Sequence, residues 1–237
     1  MSVMAALIDV TLRGLLSRRR TVLLVLLAGL PVLIGLLVRA SGGRPDADRV
    51  LDTLVVRTVM PLVALIIGTS ALGSEIEDGT AVYLMIKPIA RWKIALAKIL
   101  VAAALTALLI VPSIVISALL LGGDSTAIVG YSVAALVGGS AYAAAFVTLS
   151  VFTSRALLLG LAYVLIWEGV LSGLLTGTKF LSIRQATLGL AAALGVNVPG
   201  GDPLSPDVSV VVLGVVLIGS FLLASWKLTR FEIRGGD

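Results

Sequence analysis

Residues 94–121, IALAKILVAAALTALLIVPSIVISALLL, form an apolar run broken by one charge, Lys98, and one proline, Pro112. A hydrocarbon core about 30 Å thick is crossed by about 20 residues of helix, so the run is long enough to span a bilayer. Pro112 reads as a kink and not a stop, since neighbouring helices can satisfy the carbonyl that a proline frees. The rest of the chain has the same character. It is 59% hydrophobic and 13% charged over 237 residues, with a mean hydropathy of +1.13, whereas soluble domains carry about a quarter charged residues. An all-α integral membrane fold is the expectation.

Outward from that run, further apolar stretches lie at 21–38, 54–73, 128–152, 156–175 and 208–228, which makes six predicted spans in one domain over 21–237. Small or near-small spacing, as of Gly139 with Ala143 and of Gly138 with Tyr142, allows near approach of helices at the glycines. Residues 1–20 form a separate element. Met4, Ile8, Leu12 and Leu15 recur at helical spacing while Asp9 and Arg13 occupy another face, as in an amphipathic helix lying in the interface. A secretory leader is the rival reading of this start, because Arg18–Arg20, an apolar run and Val38-Arg39-Ala40 imitate one. Residues 180–194 mix Ile183, Leu188, Leu190 and Leu194 with Arg184 and Gln185 and are too short to span; they read as a re-entrant or interfacial helix.

Basic residues favour the cytoplasmic side of a membrane. Arg13, Arg18, Arg19, Arg20, Lys87, Arg91, Lys93, Lys98, Arg155, Lys227, Arg230 and Arg234 fall on one side of the six-span scheme. The other side carries Arg39, Arg44, Arg49, Arg57, Lys179 and Arg184, partly neutralised by Asp46, Asp48 and Asp52. Both termini are thereby expected in the cytoplasm, with the plasma (inner) membrane as location. The net charge of +5 is accounted for by this bias, and no basic stripe interleaved with aromatics points to nucleic acid. The absence of Cys and His excludes thiolate and imidazole metal sites and Ser–His or Cys–His catalysis. No cluster of Asp residues at helical spacing offers a Mg²⁺ site for a lipid head-group transferase.

The polar interruption before the opening run, residues 74–93, is the most informative loop. Glu75, Glu77 and Asp78 follow the second span, Gly79 and Thr80 supply a turn, and a short apolar run, with Val82, Tyr83, Leu84 and Met85, ends at Lys87-Pro88. Acids favour a helix N-terminus and proline stops a helix, so a cytoplasmic helix of about two turns is expected. Its apolar side needs a groove to sit in; an ordinary loop with snorkelling bases is the alternative.

The order Glu75, Gly79-Thr80, apolar run, Lys87-Pro88-Ile89, Arg91, Lys98, followed by LAYVLIWEGVLSGLLTGTKFLSIRQ over 161–185, resembles the permease subunits of ABC-2 type transporters. The resemblance implies a six-helix bundle of the type V exporter kind and a coupling helix in 74–93 that docks on an ATPase. It also implies two ATPase copies and a second permease chain, as homodimer or heterodimer. No G-x-x-x-x-G-K-[ST] phosphate loop occurs in the chain. The chain is therefore not expected to be an enzyme or to bind a cofactor itself, and ATP and Mg²⁺ would sit on the partner. The expected cargo is hydrophobic or amphipathic, a drug, lipid or peptide. A secondary transporter, or a permease that transmits force or assists assembly of an extracytoplasmic protein, remains the alternative.

Glu168 is costly inside an apolar span, about 2.5 to 3.5 kcal/mol at its centre. With Trp167 it is a candidate for the substrate path or gate; the other reading is a structural acid hydrogen-bonded to the outer helix, with Arg184 or Lys179 as partner. Trp167 and Trp226 are expected as interfacial anchors, and Arg57 is expected to snorkel outward.

Overall fold

The computed structural model describes residues 3–15, 18–43, 46–77, 90–171, 176–199 and 203–230. All regular structure among them is helical. In order these are α1 (Val3–Leu15), α2 (Arg18–Ala40), α3 (Ala47–Val50), a π-helical stretch (Leu51–Val59) and α4 (Met60–Glu77). Then come α5 (Arg91–Leu121), α6 (Ser125–Phe152), α7 (Ala156–Ala162), a second π-helical stretch (Tyr163–Leu171), a 3₁₀ turn (Thr176–Leu181), α8 (Ile183–Ala193) and α9 (Pro206–Thr229).

Five helical segments among the described residues are long and apolar enough to cross a membrane: Arg20–Ala40, Ala47–Leu72, Arg91–Leu121, Ser125–Phe152 and Pro206–Thr229. The sixth, Ala156–Val170, is apolar but shorter. The chain is a multi-pass membrane protein. Its centre is α6, 67% buried over its apolar window against 22% for α2 and for α9. Ala134, Ala135, Ala141, Ala143 and Ala144 on α6 are buried, and these short side chains let α4, α5, α8 and α9 all pack on it.

Local chemistry sets the helix ends. Asp124 caps α6 by accepting a hydrogen bond from the Ala127 N–H at 2.7 Å. Gly122 ends α5 in the left-handed region, at φ 74°. As expected, α5 continues through Pro112. The next residue, Ser113, donates to the Ala28 carbonyl of α2 at 2.6 Å, near Pro31 of that helix. The two helices are thus tied where each lacks an internal donor. Thr148 ties α6 to α9 in the same way, donating to the Ser220 carbonyl at 2.9 Å.

Three boundaries differ from expectation. The second span begins at Ala47 and not at 54, because Asp52 and Arg57 are accommodated inside helix. Glu75 and Glu77 belong to the last turn of α4, not to a new helix start, since no glycine or proline intervenes before Gly79. The outer helix expected over 180–194 is broken at Ser182, which caps α8 after the 3₁₀ turn.

Candidate functional site

Both π-helical stretches carry a polar pair spaced i, i+5, and both lie against α8. An i→i+5 hydrogen-bonding pattern widens the helix and brings residues five apart onto one face. In the first stretch the Arg57 Nε donates to both carboxylate oxygens of Asp52 at 2.9 Å, with a 2.8 Å ion pair from Nη2. Asp52 is 2% exposed and Arg57 30%. In the second, the Tyr163 hydroxyl donates to the Glu168 Oε1 at 2.9 Å. Tyr163 is held against α6 by an edge-on contact with Phe146, whose ring stacks on buried Tyr142.

Glu168 is 1% exposed and faces the start of α8. Its Oε1 also accepts from the Ile183 N–H at 2.9 Å and the Arg184 N–H at 3.4 Å. Its Oε2 accepts from the Ser182 hydroxyl. Ser182 in turn accepts from the Gln185 N–H at 3.1 Å, so one serine links the buried acid to the first turn of α8. A helix begins with N–H groups that have no internal partner, and it favours negative charge there. Trp167 adds a bond to the same place, its indole N–H donating to the Leu181 carbonyl at 3.2 Å. In the loop that follows α8, Arg57 reaches the Pro199 carbonyl at 3.4 Å. The start of α8 is therefore held by one π-helical stretch and the loop after it by the other.

Small residues complete the seat. A Cβ on Gly138 of α6 would collide with Thr187 of α8, meeting its Cγ2 at 2.7 Å and its Cβ at 2.9 Å. The Tyr131 hydroxyl of α6 donates to the Asp48 carbonyl at 3.1 Å, fixing α3 and the π-helical stretch that follows. Burial on α8 opposes the charge of Arg184, and Glu168 nearby favours it in part.

Glu168 and Trp167, singled out from the sequence, are thus brought together at the start of α8. Arg184 meets Glu168 through its main-chain N–H. Arg57, expected to snorkel outward, folds back on Asp52, the carboxylate five residues earlier in the same π-helical stretch. Asp52, Tyr163 and Ser182 were missed. The readable signals were opposite charges, and a tyrosine and an acid, at a spacing of five within apolar runs. Of the coupling residues, Glu75 and Glu77 lie in the last turn of α4 and Arg91 opens α5, half-buried. Asp78, Gly79, Thr80, Val82, Tyr83, Leu84, Met85, Lys87 and Pro88 lie outside the described residues. Lys98, the one charge in the run 94–121, is 2% exposed within α5.

Asp52→Asn is expected to lower the stability of detergent-purified protein by about 1 to 3 kcal/mol, because Arg57 loses its charged acceptor. Its partial exposure keeps the figure below that of a fully buried pair. Thermal unfolding of Asp52→Asn, Arg57→Gln and the double variant checks this, with a coupling between the two sites expected. Additive losses would show that the pair does not act as one unit.

Comparison with known families finds a match of residues 16–184, more than half of the chain, to the model described as ABC-2 family transporter protein. No match was found among curated proteins.

Proposed function

The chain belongs to the ABC-2 family of transporter proteins, and from that premise we propose that it is the membrane subunit of an ATP-driven exporter whose energy comes from a separate ATPase. Family membership makes it an ABC permease and implies association with an ABC ATPase subunit. The observation that carries the rest is that α4 and α5, the helices on either side of residues 78–89, pack on one another, so a push on the segment between them acts on both at once. Two ATPase copies, binding ATP and Mg²⁺, would drive two such loops. The protein would sit in the plasma membrane with six spans and both termini in the cytoplasm, Ala156–Leu171 continuing into the fifth.

Transport would need a second permease chain, since the other five spans gather around α6, whose apolar window is 67% buried, and fill the centre of the bundle. The heavily exposed apolar faces of α2 and of 156–170 suit contact with lipid or with that second chain. The cargo would be hydrophobic or amphipathic. Glu168 and Trp167 act in this reading as positioning residues for α8, which closes the outer end of the path as a gate.

The test is copurification from native membranes. The chain should bring down an ATPase, and Val82→Asp with Met85→Asp should reduce its recovery at least about tenfold, as loss of 1.4 kcal/mol or more requires. Monodispersity of the permease should be unchanged. Undiminished recovery would remove the coupling assignment to this loop, and transport by the chain without any ATPase would remove the ABC reading.

A further inference from the structure

Arg20 stands exposed at the mouth of an apolar crevice bounded by α1, α2, α4 and α5. The crevice has a volume of about 170 Å³, and Leu15, Leu24, Ile67, Leu105 and Leu108 contribute to its walls. Leu24 and Ile67 are buried, whereas Leu108 is 67% exposed at the rim. Leu15 ends α1, the short amphipathic helix, and Arg20 lies in the first turn of α2. The crevice therefore opens where α1 ends and α2 begins and runs between α2, α4 and α5.

Two demands meet here. An apolar crevice in a membrane subunit takes an apolar chain. A guanidinium at its mouth takes an anion, and its fork of donors matches phosphate oxygens. Arg18 and Arg19 come just before Arg20 in the chain. We propose that this crevice binds an anionic phospholipid from the leaflet in which α1 lies, one acyl chain lying between α2, α4 and α5 and the phosphate on Arg20. A hydrophobic cation, the other molecule an apolar crevice could take, is repelled by the same residue.

The experiment is native mass spectrometry of the purified protein with equal amounts of dimyristoylphosphatidylglycerol and dimyristoylphosphatidylethanolamine. One basic residue at an anionic surface contributes about 1 kcal/mol, so the glycerol lipid should be retained in about fivefold excess. Arg20→Gln should bring the two close to parity, and Arg20→Lys, which keeps the charge, should preserve most of the preference. Leu108→Trp, filling the rim, should lower retention of both. Arg155→Gln, an exposed base between α6 and α7, should change nothing. Equal retention of the two lipids by the unaltered protein would overturn the proposal. So would a preference that survives Arg20→Gln, or one that Arg155→Gln removes as fully as Arg20→Gln does.

Discussion

Glu168→Ala is expected to yield little monodisperse protein, and what is recovered should unfold with a stability loss of about 3 to 5 kcal/mol, the range for removing one partner from a buried charged network. The substitution strips the acceptor from four donors at once: the Tyr163 and Ser182 hydroxyls and the Ile183 and Arg184 N–H groups. Each buried donor left without a partner costs about 1 to 3 kcal/mol, and water entering the gap recovers part of the sum. Glu168→Gln keeps the shape and one acceptor oxygen but turns an NH₂ group toward donors, so it should fall between alanine and the unaltered protein. Tyr163→Phe removes a single bond and should cost least. Thermal unfolding in detergent gives the order. If Glu168→Ala unfolds with the unaltered protein and alters transport alone, the carboxylate does not hold the outer helix and acts on cargo directly.

The second large effect is expected at Gly138. In Gly138→Ala the new methyl group would overlap Thr187, whose Cβ and Cγ2 lie 2.9 and 2.7 Å from it. A β-branched side chain is stiff at χ1, and Thr187 is fully buried with its hydroxyl bonded to the Ile183 carbonyl at 2.8 Å. It has nowhere to turn, so α6 and α8 must separate, at about 3 kcal/mol for an overpacked core. The same separation strains the contacts between Glu168 and the start of α8. Pairing Gly138→Ala with Thr187→Ala removes the closest overlap and should restore part of the lost stability. Failure of that pairing to restore any would place the damage somewhere other than the α6–α8 contact.

The apolar runs around α2, α5, α6 and α9 were legible because their length and composition report directly on the thickness of a bilayer. Pro112 was legible for a related reason, as a long run on both sides leaves a helix no other course. The start of the second span is not legible, because Asp52 reads as a loop charge unless its pairing with Arg57 is known. Glu168 is legible by its cost in an apolar setting, and its hydrogen bonding to the helix at Ile183–Ala193 matches the reading of it as a structural acid. The hub of that attachment was hidden, since serines such as Ser182 are common and only the fold brings this one beside an acid fourteen positions earlier. Arg20 was read only as a marker of sidedness. The crevice behind it is made by four helices, and sequence spacing carries no trace of such a meeting.

The two wide helices have a consequence for phase. Five residues of an α-helix, at 3.6 per turn, advance about 500°, overshooting the starting face by about 140°. Asp52 and Arg57, or Tyr163 and Glu168, would then point apart. Each pair therefore exists only while its own stretch stays wide, and each stretch gains a bond for staying so. Wherever one is cut, the helix is free to rewind, and everything beyond it along the chain turns to a new bearing.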